Sequence, residues 1–105
     1  MPRMDIYRVK IDPANVERLL EIRAAAVAEF QAQVPELLQA DLVRLGGDEW
    51  LDVLTWSGPV DPERIAGAAE CTPTSAEMHS LISEELGHFQ GELVAGSKGA
   101  WASAR

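Results

Sequence analysis

Apolar and polar residues alternate with two different periods along this chain, and the changes between them predict its secondary structure. A period of two predicts β-strands at residues 5–11, 37–45, 50–56 and 88–94. Between the first two strands, apolar residues recur every three or four positions from Val16 to Val34, which is typical of an amphipathic helix. The pattern predicts the order βαββαβ, an α+β arrangement in which the second helix is broken into two pieces.

Capping residues mark where the helices begin. Asp12-Pro13 and Asp61-Pro62 each combine a favourable N-cap with a proline at the first helical position. The first helix has about five turns, with Leu20 and Arg23 inside its apolar stripe, and Pro35 ends it. A further helical piece is expected from Thr74, because Thr74 and Glu77 have the spacing of a capping box.

A hairpin and two crossovers predict the sheet. Gly46-Gly47-Asp48 tolerates positive φ, so it predicts a tight turn between the second and third strands. Right-handed crossovers then give a four-stranded antiparallel sheet with both helices on one face, which is the ferredoxin-like fold. The last strand is expected to turn Phe89, Gly91 and Leu93 toward the helices and His88, Gln90 and Glu92 away from them.

The other face of the sheet is left without a cover. We expect it to carry a set of side chains with too much apolar area to remain in water: Ile6, Arg8, Leu42, Arg44, Trp50, Leu54 and Trp56. A homodimer formed by contact between two such faces is therefore predicted.

Composition narrows the classes of function. The 105 residues, 47% of them apolar, predict one domain at 1–94 and a flexible Gly/Ser/Ala-rich tail at 95–105 that contains Trp101. A net charge of −8 without a basic patch argues against a nucleic-acid partner. No apolar run has the length of a membrane span, and Cys71 is the only cysteine, so we expect no membrane partner and a cytoplasmic location.

Several residues on the predicted open face could carry chemistry. Trp50 and Trp56 could stack on a planar ligand or could simply fill an interface. Arg8 and Asp52 are expected to form an ion pair across neighbouring strands, either as a structural tie or as a polar anchor for a ligand. His88 could act as a general base or as an interface histidine.

The remaining histidine, His79, lies on the last helical piece, where it could contact a ligand or be a solvated surface residue. The sequence contains no Gly-rich dinucleotide loop and no dense group of Cys, His and carboxylate residues. We therefore expect no cofactor, whether flavin, nicotinamide or a tightly bound metal.

Five segments are informative when they are taken together: Ile6-Tyr7-Arg8-Val9-Lys10, Val34-Pro35-Glu36, Trp50-Leu51-Asp52-Val53-Leu54-Thr55-Trp56, Met78-His79-Ser80-Leu81-Ile82 and His88-Phe89-Gln90-Gly91-Glu92. They resemble the antibiotic biosynthesis monooxygenase domains of the dimeric α/β-barrel, ferredoxin-like superfamily. The resemblance extends from about Asp5 to Val94. It implies an obligate dimer with a small-molecule cavity between sheet and helices in each protomer.

Some relatives in this superfamily are cofactor-free oxygenases of phenolic polycyclic substrates, in which the deprotonated substrate itself reduces dioxygen. The resemblance thus implies a cofactor-independent monooxygenase for a phenol-like or quinol-like molecule. On this hypothesis His88 is the base, Trp50 or Trp56 the flat wall, and Arg8, held by Asp52, the positive charge. A non-catalytic dimeric module that binds a hydrophobic metabolite is the alternative.

Other relatives degrade haem with a strand-borne asparagine, a tryptophan and an axial histidine. The only asparagine of this chain is Asn15, at the start of the first helix, so the strand position has no amide. His79 is the only candidate for an axial ligand. Haem degradation is therefore the minor alternative, because function has to be argued from the site.

Overall fold

Three helices cover one face of a four-stranded antiparallel sheet. The structure, a computed structural model, describes residues 2–95, so most of the expected tail, with Trp101, lies outside the described residues. The elements are β1 (Arg3–Ile11), α1 (Pro13–Gln33), β2 (Leu37–Gly46), β3 (Glu49–Trp56), α2 (Pro62–Cys71), α3 (Pro73–Ser80) and β4 (Ile82–Glu92). The strand order β2-β3-β1-β4 confirms the predicted ferredoxin-like α+β fold.

The predicted starts of α1 and α2 and the hairpin are confirmed. The Asp12 carboxylate accepts a hydrogen bond from Ala14 N at 2.9 Å, and the Asp61 carboxylate accepts one from Glu63 N at 3.0 Å. Gly46 and Gly47 have φ of 132° and 57° between β2 and β3. Glycine adopts these positive φ values at little cost, and this backbone conformation lets the chain reverse direction between the two strands.

The predicted capping box at α3 is wrong. The helix begins at Pro73, and the backbone N–H of Thr74 donates to the Glu29 carboxylate of α1 at 3.0 Å. Glu77 instead pairs with Arg18, with 2.7 Å between Oε2 and Nε. The unpaired N–H groups at a helix start can donate to any well-placed carboxylate, and here tertiary packing supplies that carboxylate from another helix.

Two apolar clusters lie between the sheet and the helices, each around one indole of β3. Trp50 packs with a group from β1, α1 and α3: Val9, Ile11, Leu19, Ile22, Ala26 and Met78. Trp56 packs with a second group: Phe30, Val34, Leu37 and Ala68. Of two neighbouring leucines on α1, Leu19 is buried, whereas Leu20, expected in the buried stripe, is 51% exposed.

The pairing of strands corrects the predicted assignment of β3 to the open face. Tyr7 lies opposite both Asp52 of β3 and His88 of β4, so these three side chains share one face, the one beneath the helices. Trp50, Leu54 and Trp56 lie on this helix-facing side, as do Leu42 and Arg44, and not on the open face. The indoles bury far more area there than the Leu51/Val53/Thr55 set would.

The last strand also departs from the prediction. β4 begins at Ile82, six residues before the expected start, and its register against β1 shifts between Arg8 and Val9. His88 lies opposite Tyr7 and faces the helices, while Phe89 lies opposite Ile6 on the open face and is 60% exposed. The prediction placed these two sets of side chains on the wrong faces, because alternation along a strand does not tell which set lies beneath the helices.

Candidate functional site

A cavity of about 650 Å³ lies between the sheet and the three helices. Central strand β1 forms its floor with β3 and β4 on either side, and residues of α1, α2 and α3 close it from above. Much of the lining is apolar, but several polar side chains reach it: Asp5, Tyr7, Arg23, Asp52, His79 and His88. This volume and mixed lining are typical of a site for a small organic molecule.

A chain of hydrogen bonds crosses the floor of the cavity through Asp5, whose side chain is nearly buried. His88 Nε2 lies 2.8 Å from Asp5 Oδ1, and Trp56 Nε1 donates to Asp5 Oδ2 at 2.8 Å. Because a carboxylate only accepts hydrogen bonds, neutral His88 carries its proton on Nε2. Its Nδ1 is then left with a lone pair, as a general base requires.

Tyr7 stacks directly on the imidazole of His88. The ring centroids are 4.1 Å apart and the planes differ by 9°. Burial, followed by the charges of Asp5, Glu85 and Asp52, raises the pKa of Tyr7 to about 12. The phenol therefore remains protonated near neutral pH, and its O–H is a hydrogen-bond donor at the cavity wall.

The ion pair in the cavity is Arg23 with Asp52, so the predicted pair of Arg8 with Asp52 is wrong. Two guanidinium nitrogens of Arg23 lie 2.8 and 3.2 Å from the carboxylate oxygens, and both side chains are only 13% exposed. Arg8 lies opposite Leu51 on the open face, where it pairs with Glu49 at 2.7 Å. Alternation along β1 places Tyr7 in the cavity and Arg8 behind the sheet.

A sequence signal for Arg23 existed, because it is a lone charge inside the apolar stripe of α1. A charged side chain at such a position is buried only when an oppositely charged or hydrogen-bonding group pairs with it. The partner could not be named without knowing which face of β3 lies beneath α1.

His79 reaches the cavity from the end of α3. Its Nδ1 lies 3.0 Å from the carbonyl oxygen of Ser75, so Nδ1 donates and Nε2 is left as an acceptor. His79 is an exposed residue, as the solvated alternative expected, and it is also among the residues that line the cavity. The structure thus brings together His88, Asp52, Trp56 and His79 of the predicted site residues.

Trp50 and Arg8 are the predicted site residues that do not line this cavity. Trp50 is buried in the core, with the Arg44 guanidinium carbon 4.5 Å from its ring centre. Its Nε1 has no hydrogen-bond partner among residues 2–95. An indole in this position packs the core and offers no wall for a ligand in the cavity.

The residues present do not reproduce a haem-degrading site. Asn15, the only asparagine, donates from Nδ2 to the carbonyl oxygen of Leu81 at 3.4 Å, where α1 begins. β1 carries no asparagine or glutamine, so the first-strand amide that a haem-degrading site was expected to need is missing. Within residues 2–95, no three His, Cys, Asp or Glu side chains lie close enough together to hold a metal ion. None of the helices in that range combines the length and apolar character needed to cross a membrane.

No protein-family model and no curated protein matches this sequence. Solved structures match it over nearly its whole length. A protein from Bordetella bronchiseptica assigned to the antibiotic biosynthesis monooxygenases aligns with a TM-score of 0.72 at 14% identity, covering 90% of this chain and 98% of that one. SnoaB, a cofactor-independent oxygenase from Streptomyces nogalater, aligns with a TM-score of 0.61 at 17% identity, covering 90% and 95%.

A protein of unknown function from Nitrosomonas europaea aligns similarly, with a TM-score of 0.59 at 15% identity over 90% of this chain and 91% of that one. Likeness at such low identity establishes the fold alone. The chain has the ferredoxin-like fold of antibiotic biosynthesis monooxygenase domains, which confirms the resemblance seen in the sequence at the level of the fold.

Proposed function

We propose that this protein is a cofactor-independent monooxygenase that oxidises a phenol-like or quinol-like aromatic molecule in the cavity between sheet and helices. The observation that carries the proposal is His88 at the cavity wall, with Nε2 held by Asp5 at 2.8 Å and Nδ1 left to accept a proton. The likeness of the fold to a cofactor-independent oxygenase supports the same class of reaction.

The reaction balances without an added reductant. His88 Nδ1 takes a proton from the phenolic O–H, or from the ring CH₂ group of the keto form as in an anthrone, and the substrate anion gives one electron to dioxygen. The two radicals join in a C–O bond at a ring carbon that carries hydrogen, and the peroxide takes the proton back from His88. Loss of the C–H proton that remains on this carbon, with cleavage of the O–O bond, leaves a carbonyl and releases water. One atom of dioxygen thus enters the product and the other leaves as water.

The charge that forms on the substrate is balanced inside the cavity. When His88 accepts the proton, the imidazolium lies beside the substrate anion and keeps its hydrogen bond to the Asp5 carboxylate. The Tyr7 O–H is protonated near neutral pH, as any tyrosine is, and it lines the cavity, so it can donate a hydrogen bond to the anion. Arg23, tied to Asp52, adds a fixed dipole to the wall in place of the positive charge once expected from Arg8.

We propose in addition that two copies associate through the open face of the sheet. The support is a set of apolar side chains that no helix within residues 2–95 covers: Ile6, Val43, Leu51, Val53 and Phe89. A second copy is the occupant we propose, since a two-fold axis brings the same apolar patch of each copy into contact. The cavity lies on the other side of the sheet, so each protomer keeps its own site.

A non-catalytic binding module is the second candidate. Asp5 and Asp52 are both bound to other side chains of the protein, which favours this candidate. Carboxylates bound in this way can shape a cavity without taking part in a reaction. A binder needs no base that reaches an acidic proton of the ligand, whereas the oxygenase does.

Oxygen consumption with a panel of anthrones and hydroquinones separates the two candidates. The protein should consume oxygen above the uncatalysed rate with at least one of them, and His88→Ala should lower kcat by roughly 10²–10⁴-fold, the usual contribution of one general base. Gln33→Ala, an exposed change at the end of α1, is the matched control and should leave the rate unchanged. Tight binding of several compounds without any consumption would refute the oxygenase and leave the binding module.

A further inference from the structure

Trp56 makes its polar contact with protein and not with solvent. The residue is 2% exposed, and its Nε1–H donates to Asp5 Oδ2 at 2.8 Å. His88 occupies the other oxygen, Oδ1, at the same distance. β1 lies between β3 and β4, so the two donors reach the Asp5 carboxylate from the two neighbouring strands.

Two donors fix a carboxylate that a single donor would leave free to turn. The last torsion of an aspartate side chain has a broad energy profile, so one hydrogen bond leaves its orientation poorly defined. With both oxygens engaged, rotation of Asp5 would break two bonds to a charged group in a nearly buried place. The Tyr7 ring, stacked 4.1 Å from His88, restricts the imidazole on its flat side.

We propose that Trp56 is a positioning residue for His88, which acts through Asp5 by means of its indole N–H. The sequence suggested a flat wall for a planar ligand, but the N–H is the part of the indole with a defined partner. By fixing Asp5, Trp56 holds His88 in the tautomer with the proton on Nε2 and keeps Nδ1 available as the base. The inference rests on the proposed function for the role of the base, while the orientation of His88 is measurable without any substrate.

The test compares Trp56→Phe with Trp50→Phe by ¹⁵N NMR of the histidine rings. Both tryptophans are buried in β3, but Trp50 Nε1 has no partner within residues 2–95, so its replacement removes no such hydrogen bond. The chain has only two histidines, and His79 is an internal reference that should carry its proton on Nδ1. Trp56→Phe should give His88 a mixture of tautomers, while Trp50→Phe leaves His88 unchanged and His79 stays constant in both.

Activity adds a second readout. With an active substrate, Trp56→Phe should lower kcat by about 10- to 100-fold, a loss typical of removing a group that orients a reacting residue. A wall for ligand stacking would instead tolerate phenylalanine, with a change mainly in KM. Unchanged kcat and an unchanged tautomer of His88 in Trp56→Phe would overturn the proposal.

A measurement on the unmodified protein decides the matter if Trp56→Phe does not fold. Protonation of His88 should shift the indole N–H resonance of Trp56, because both donors share one carboxylate, and should leave that of Trp50 in place. A Trp56 resonance that does not respond would overturn the positioning role. Failure of the oxygenase proposal is a separate result, since it appears as absent oxygen consumption whatever the tautomer is.

Discussion

Both carboxylates in the cavity have defined protein partners. Asp52 forms an ion pair with Arg23, and Asp5 forms hydrogen bonds with Trp56 and His88. A buried carboxylate without such partners would cost several kcal/mol, so each set stabilises the polar groups that the cavity needs. Tyr7 lies beside these carboxylates, and its pKa is raised first by burial and then by the charges of Asp5, Glu85 and Asp52.

The titration of Tyr7, the only tyrosine of the chain, should therefore be displaced to high pH. Its pKa rises from 10.0 to about 12 on folding, so the folded state holds the proton more tightly than the unfolded state. The stabilisation from this group is complete below pH 10 and is lost as the pH rises toward 12. Absorbance of the tyrosinate band, followed against pH, should show a midpoint near 12.

Asp5→Asn should lower that midpoint, because the Asp5 charge is the largest contribution after burial. Asp41→Asn, an exposed change on β2, is the control and should leave it in place. A midpoint at the ordinary tyrosine value in the folded wild type would show that Tyr7 is solvated and not part of the cavity wall.

Four of the six predicted site residues line the cavity, whereas Asp5, Tyr7 and Arg23 were not predicted to belong to it. Alternation along β1 and β3 separates each strand into two sets, and in β3 both sets contain apolar residues. Nothing in the pattern decides which set lies beneath the helices. Because of this ambiguity, Arg8 was predicted as the partner of Asp52, whereas the structure pairs Asp52 with Arg23. For the same reason Trp50 was predicted to line a ligand site, whereas it packs in the core.

Helices and strands were predicted best where a local signal sets the boundary. Asp12 and Asp61 cap their helices as expected, and Gly46-Gly47 makes the hairpin, since each depends on the conformation of one or two residues. The start of β4 and the cap of α3 depend on contacts with distant elements. The backbone N–H of Thr74 finds its acceptor 45 positions away in Glu29.

Glu29→Ala should therefore destabilise the protein by about 1 kcal/mol, the typical cost of losing a helix cap. Thr74→Ala changes the residue whose backbone N–H is bound, but keeps that N–H and the Glu29 carboxylate, and should cost much less. Urea denaturation of both variants measures the difference in the free energy of unfolding. A larger loss for Thr74→Ala would mean that the side chain of Thr74 makes the cap after all.

The whole molecule presents two unequal faces of one sheet. The helix-facing side holds both indoles and the cavity, and the open face holds the apolar set that we propose as a dimer interface. Phe89 is 60% exposed on the open face, whereas Leu54 packs against the Trp56 cluster beneath the helices. A charge introduced at Phe89 therefore tests assembly, whereas a charge introduced at Leu54 tests folding.

Phe89→Asp should give a folded monomer, because a charge is tolerated on the exposed protomer surface but would lie unpaired in the interface. Leu54→Asp should destabilise the fold itself by 2 kcal/mol or more, roughly the cost of an unpaired polar group in a core. Sedimentation velocity and circular dichroism distinguish the two results. A well-folded wild-type monomer at micromolar concentration would contradict the proposed dimer.

Mass spectrometry of the product formed under ¹⁸O₂ tests the proposed oxygenase most directly. With a substrate that supports oxygen consumption, the product should gain a single ¹⁸O atom in its new carbonyl and the second should appear in water. Under the same conditions His88→Ala should form labelled product at a rate reduced by roughly 10²–10⁴-fold. Product whose new oxygen comes from solvent, or labelled product formed equally fast by His88→Ala, would contradict a monooxygenase that uses His88 as its base.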